Sequence, residues 1–204
     1  HLLEMATAAQ AETGAAGMIA LADRGYYEGE QIRSCAEAGI IPMVPKPNTS
    51  PAQARGFWGK PAFVYQPETD AYRCPVGAQL QKRHATVEAG KLINVYYNQK
   101  ACGACASRPL CTAGKEKRIR RWEHEAVLDE MERRFNAMPE AMAVRRCTVE
   151  HVFGTIKGWM GATHFRTRGL KNVATEASLA ILAYNIKRAI AVAGVGPILK
   201  AIRG

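Results

Sequence analysis

Arg146, Glu150 and Lys157 are the first residues whose types and spacing suit chemistry. They lie in R-R-C-T-V-E-H-V-F-G-T-I-K, residues 145–157, a stretch without Pro. Val149, Val152, Phe153 and Ile156 recur there at three- and four-residue steps, which predicts an amphipathic helix. On an α-helix, residues four and seven apart stack along one side. One carboxylate bracketed by two cations suits a metal ion and a phosphate together. The same spacing also describes a solvated face carrying an intrahelical ion pair. His151 points to a different side of that helix and reads as structural.

A second carboxylate stands in L-A-D-R-G-Y-Y, where Asp23 follows a short apolar run over 18–22. Residues 28–38 have helical character, end at Gly39, and lead into the apolar run 40–44. Strand, helix and strand in that order predict a βαβ unit with a parallel pairing, hence an α/β fold. Asp23 then sits at the carboxyl end of a strand, where open α/β sheets place ligand groups. It is a suitable ligand for Mg²⁺, or else an Asp that opens a turn.

Six Cys are unevenly spread. Cys74, Cys102, Cys105 and Cys111 cluster, with C-G-A-C as a C-x2-C knuckle, while Cys35 and Cys147 fall inside predicted helices. Four thiolates suit a tetrahedral structural Zn²⁺. Buried reduced thiols and redox-active thiols are the other readings.

The elements that must position these groups follow from the pattern. Residues 1–16 are weakly helical and 45–61 form a basic loop. Residues 63–65 and 71–74 flank P-E-T-D in a hairpin pattern, and 91–97 is a strand. A long helix is expected over 119–135, a break at 136–139, and the Glu150 helix from Glu140 to the glycines at 158 and 161. A basic connector with His164, Arg166 and Arg168 precedes a final helix over 173–193. Lys115, Lys117, Arg118, Arg120 and Arg121 form another basic run, and Trp58, Trp122, Trp159, Tyr96 and Tyr97 lie near such charges.

The 204 residues, 48% hydrophobic and 23% charged, can bury a core. A net charge of +10 and a pI near 9.5 favour a polyanionic partner or a merely basic surface. No apolar run reaches the roughly 20 residues of a membrane span. The expected organisation is a partial α/β core over 1–45, an inserted Cys-bearing β module over 46–117, and a helical return over 118–204.

A-D-R-G-Y-Y at a strand end and R-C-T-V-E-H-V-F-G-T-I-K on a late helix resemble the DDE transposases of bacterial insertion sequences. T-H-F-R-T-R-G-L and L-A-Y-N-I-K-R near the end resemble them too. The likeness is to the branch whose catalytic domain is interrupted before its Glu. It implies an RNase H-like core in which two Asp and one Glu hold two Mg²⁺ (or Mn²⁺) ions for DNA cleavage and strand transfer. Residue by residue, Asp23 matches the second Asp and Glu150 the Glu. Part of the family carries Y-x2-R-x3-E-x6-K around that Glu. Arg146, Glu150 and Lys157 fit the last three places, and Ala143 stands where the Tyr would be.

No Asp occurs among the residues before Asp23, so the first Asp is expected upstream of His1 and this chain alone is expected to be inactive. The resemblance further implies double-stranded DNA as partner, with Arg166 and Arg168 as phosphate contacts beside Arg146 and Lys157. It also implies a homodimer in the synaptic complex and a bacterial, cytoplasmic, nucleoid-associated setting. An inactive zinc-stabilised DNA-binding remnant and an RNase H-like nuclease without strand transfer are the rival readings.

Overall fold

A computed structural model describes residues 1–47 and 50–203. Asn48 and Thr49, within the expected basic loop, and Gly204 lie outside the described residues. The chain divides into two compact units, His1–Pro139 and Glu140–Gly204.

The first unit opens with helix α1 (Leu2–Thr13), then strand β1 (Ile19–Leu21), helix α2 (Gly29–Glu37) and strand β2 (Ile41–Met43). β1 and β2 pair in parallel, with Ile19 opposite Ile41 and Leu21 opposite Met43, so the βαβ unit read from the sequence is present. Helix α2 begins where it does because the Glu28 carboxylate accepts hydrogen bonds from the N–H groups of Glu30 and Gln31, which would otherwise lack partners. Its inner face buries Ile32 and Cys35 against Ile40 and Val44.

A short helix α3 (Pro51–Ala54) leads to a five-stranded antiparallel sheet. Its strands β3 (Val64–Gln66), β4 (Ala71–Arg73), β5 (Gln79–Glu88), β6 (Lys91–Tyr97) and β7 (Ile119–Trp122) lie side by side in chain order. Helices α4 (Gln99–Gly103) and α5 (Arg108–Cys111) lie between β6 and β7, and α6 (Glu125–Ala137) follows. Leu128 and Met131 of α6 pack into the same core as Ile32 and Cys35, so the helix leaves the sheet and covers the βαβ unit.

Two elements differ from the sequence reading. Strand β5 has one buried residue, Leu80, in ten, so it lacks the apolar alternation that marks a half-buried strand. It is held by pairing with β6 through a tight turn in which Ala89 and Gly90 both have positive φ, of 46° and 78°. Residues 119–122 form a strand and not the start of a helix. Ile119 and Trp122 satisfy an i,i+3 helical spacing, but Arg121 is buried beside them and the segment completes the sheet on β6.

The sheet closes on a polar network. Asp70 adopts a left-handed conformation (φ 43°) that Asp tolerates better than most residues. Its Oδ1 accepts from the Tyr96 hydroxyl at 2.6 Å and the Tyr65 hydroxyl at 2.9 Å. The bond from Tyr96 is the main reason its carboxyl sits below the usual carboxylate range. Arg121 is buried, lies 3.7 Å over the Tyr65 ring, and donates to the Tyr72 hydroxyl and to Asp129 Oδ2 at 2.7 Å.

The second unit runs through α7 (Ala141–Arg145), a π-helical turn (Arg146–Glu150), α8 (His151–Gly154) and a second π-helical turn (Thr155–Trp159) without a break in helical backbone. Helices α9 (Leu170–Ala193) and α10 (Val195–Arg203) follow, bent by 112° about Gly194, and among the described residues no single helix is long and apolar enough to cross a membrane.

Replacing Asp70 tests the network. Asp70→Ala leaves two tyrosine hydroxyls unpaired and puts Ala at a positive φ, for an expected loss of about 2 kcal/mol in denaturant unfolding. Asp70→Asn keeps an acceptor and the turn, and should lose less. Because the carboxyl is depressed, its contribution is present above the ordinary carboxylate pKa and is lost as pH falls through the lowered one.

Candidate active site and cysteine cavity

Asp23 stands two residues past β1, at its carboxyl end as expected, and belongs to the first unit. Its Oδ1 accepts from the Gly25 N–H at 2.9 Å, and Asp23 caps the 3₁₀ turn Arg24–Tyr26. The turn reading of this residue is therefore realised, and it fixes the carboxylate at the strand end. The contact is close, since a Cβ at Gly25 would lie 3.1 Å from Asp23 Oδ1.

Glu150 belongs to the second unit and is exposed at the end of the first π-helical turn. Its Oε1 accepts from Arg145 Nη1 at 2.5 Å. The partner is thus Arg145 and not Arg146, which the sequence reading placed on the same side. An α-helix brings residues four apart together, whereas a π-helical turn widens the repeat and brings in the fifth. Arg146 and Lys157 are exposed and, among the described residues, their side chains make no hydrogen bond or ion pair. His151 is exposed too, so it takes no core position.

Arg166 and Arg168 lie in the connector before α9 and are exposed. The connector is pinned by one carboxylate. Glu176 on α9 accepts from the N–H groups of Arg166 and Thr167 and from the Thr167 hydroxyl, at 2.8 to 3.1 Å. The bond from the Arg166 amide leads in holding its carboxyl below the ordinary range.

Residues 73–190, more than half of the chain, match the family model described as Transposase DDE domain. The chain belongs to that family. No curated protein and no solved structure matches it. The matched stretch of the transposase domain contains Arg146, Glu150, Lys157, Arg166 and Arg168 together with the four clustered cysteines, while Asp23 precedes it.

Cys74, Cys102, Cys105 and Cys111 converge on one cavity of about 30 Å³, also lined by Trp58, Phe63 and Leu80. All four are reduced. Burial pushes the Cys111 thiol up, against a smaller opposing effect of Lys117. Among the described residues no three or more His, Cys, Asp or Glu side chains are arranged to hold a metal ion.

The basic run at 115–121 is mostly engaged inside its own fold. Lys117 donates to the Trp58 and Cys111 carbonyls, Arg118 pairs with Glu116, Arg120 with Glu88, and Arg121 is buried. Tyr96 and Trp122 are core residues, whereas Tyr97 is half-buried with Arg83 and Arg118 over its ring. Arg145 and Glu176 were not singled out from the sequence. The first is visible only with the π-helical turn, and the second pairs across a ten-residue loop that carries no periodic signal.

Glu176→Gln should free the connector. Amide hydrogen exchange at Arg166 and Thr167 is expected to rise while exchange in the middle of α9 is unchanged. Acidification should mimic the substitution. The carboxylate's hold is complete above its unfolded pKa and is lost as pH falls through the depressed folded value.

Proposed function

We propose that this DDE transposase domain cleaves DNA at the ends of a bacterial insertion sequence and joins those ends to target DNA. The observation that carries the reading is the family match over 73–190, a stretch in which Arg146, Glu150 and Lys157 stand at a spacing that resembles the one part of the family carries. In this reading Asp23 and Glu150 are two of three metal-binding carboxylates on an RNase H-like core. Residues 1–45 and those after β7 belong to that core, and the sheet-bearing stretch from 46 to 122 interrupts it.

The donors fit a hard divalent cation, because both are carboxylates and neither is buried. Two Mg²⁺ or Mn²⁺ ions held there would activate the attacking water or 3′-hydroxyl and stabilise the leaving oxygen. The work of the chain's own residues is positional. Gly25 fixes the Asp23 carboxylate and Arg145 orients that of Glu150. Arg146 and Lys157, one turn or more on either side of Glu150, hold flanking phosphates, Arg as a fork and Lys as a point charge. Arg166 and Arg168 add contacts from the pinned connector.

Charge distribution supports a DNA partner. Residues 46–122 hold fourteen Lys and Arg against four Asp and Glu, a balance of +10. The remaining residues hold fourteen of each, so this one segment accounts for the net charge of the whole chain. Arg73, Lys82, Lys100, Arg108 and Lys115 are exposed there and, among the described residues, form no ion pair. A homodimer would bring two such domains to paired ends, in the bacterial cytoplasm on the nucleoid.

The test is Glu150→Gln in the intact transposase, incubated with the element's end DNA and Mg²⁺. Cleavage should disappear while end binding persists; full cleavage by the variant would remove Glu150 from the site. Binding without cleavage by the wild type would favour the inactive remnant. Cleavage without joining of pre-cleaved ends would favour a plain nuclease. For DNA contact, Lys82→Ala with Lys100→Ala should lower the slope of log affinity against log salt by about two.

A further inference from the structure

We propose that Cys74, Cys102, Cys105 and Cys111 bind one Zn²⁺ as four thiolates, tying the α4–α5 segment to the β4–β5 turn. The inference does not rest on the transposase reading.

The four sulfurs come from three separate pieces of backbone. Cys74 opens a tight turn in which the Gly77 N–H donates to the Cys74 carbonyl at 2.9 Å and Gly77 has φ +88°. Cys102 lies in the last turn of α4 and Cys105 two residues past its end, where the Cys105 N–H donates to the Cys102 carbonyl and the Arg108 N–H to that of Cys105. Cys111 ends α5 and is buried. Segments far apart in sequence thus deliver reduced thiols to one cavity.

The segment that supplies three of them buries few side chains, and is tied to the rest of the unit by the Trp58 N–H on the Leu110 carbonyl and Lys117 on the Cys111 carbonyl. α4 has five residues and buries none, and α5 has four and buries only Cys111. Helices this short are unstable without tertiary support. A four-thiolate metal site supplies such support to a module without a core of its own. The site would carry a formal charge of about −2. Lys117 is placed to offset it, with its ammonium 3.3 Å from the Cys111 carbonyl. The thiols do not form a closed metal-ligand set in this structure.

The experiment uses the whole chain, purified without added metal and dialysed against metal-free buffer. Elemental analysis should find about one zinc per chain. Titration with an organomercurial should release that zinc to a chromogenic indicator. Cys74→Ser should lose most of it, and Cys147→Ser should keep it. A folded protein that carries no zinc would overturn the proposal, as would zinc retained in Cys74→Ser combined with Cys102→Ser. If Cys74→Ser does not fold, Co²⁺ replaces zinc in the unaltered chain. Thiolate-to-cobalt charge transfer and intense tetrahedral d–d bands are expected, and their absence would refute the site. None of these readouts depends on DNA cleavage.

Discussion

The guanidinium of Arg121 is the interaction on which the first unit depends. A charge taken out of water is costly, and burial alone would weaken its hold on the proton. Hydrogen bonds to Tyr72 and Asp129 outweigh that penalty and keep the group charged. In doing so it joins β3 through the Tyr65 ring, β4 through the Tyr72 hydroxyl and α6 through Asp129. Beside it, Lys60 bonds the Arg120 carbonyl and pairs with the buried carboxylate of Glu125 at the start of α6. The sheet and the helix that covers the βαβ unit are therefore held through paired charges as much as through apolar contact. Removing one partner leaves the other buried and unsatisfied, which is where such networks lose most stability.

That hub also explains why the basic run at 115–121 is not a simple DNA-binding face. Charge in a sequence says nothing about which cations are already spoken for. Arg121 and Lys117 serve the fold, while Lys82, Lys100 and Arg73 on or near the hairpin edge remain exposed to solvent. With the net charge concentrated in one segment, these outer residues are the cations there that stay open to solvent.

Where burial follows periodicity, the sequence was readable. The βαβ unit shows this, since apolar runs of strand length flank a helix whose inner face is Ile32 and Cys35. The β3–β4 hairpin shows it too, through P-E-T-D. β5 escaped because a strand with one buried side chain in ten has no alternation, and A-G is a poor signature for a turn with two positive φ values. β7 escaped because Ile119 and Trp122 fit the helical i,i+3 step, while the buried residue that shares Ile119's strand face is a charged one, Arg121. Of the candidate site, the clustering of the four cysteines that line one cavity was legible in the sequence, whereas the Arg145–Glu150 pair and the hold of Glu176 on the connector depend on backbone geometry that spacing does not encode.

The two π-helical turns at 146–150 and 155–159 bear on how the Arg–Glu–Lys signature is understood. A π-helical turn accommodates an extra residue, and each residue of an α-helix advances the side chain by about 100° around the axis. Side chains beyond such a turn are thus out of phase with a helical wheel drawn at 3.6 residues per turn. Glu150 closes the first of these turns and Lys157 lies in the second. The spacing R-x3-E-x6-K is then a measure of contour length along the helix, and the angular setting of its three charges is supplied by the winding. Rewinding either turn to α would leave every one of these residues in the sequence and aim them differently.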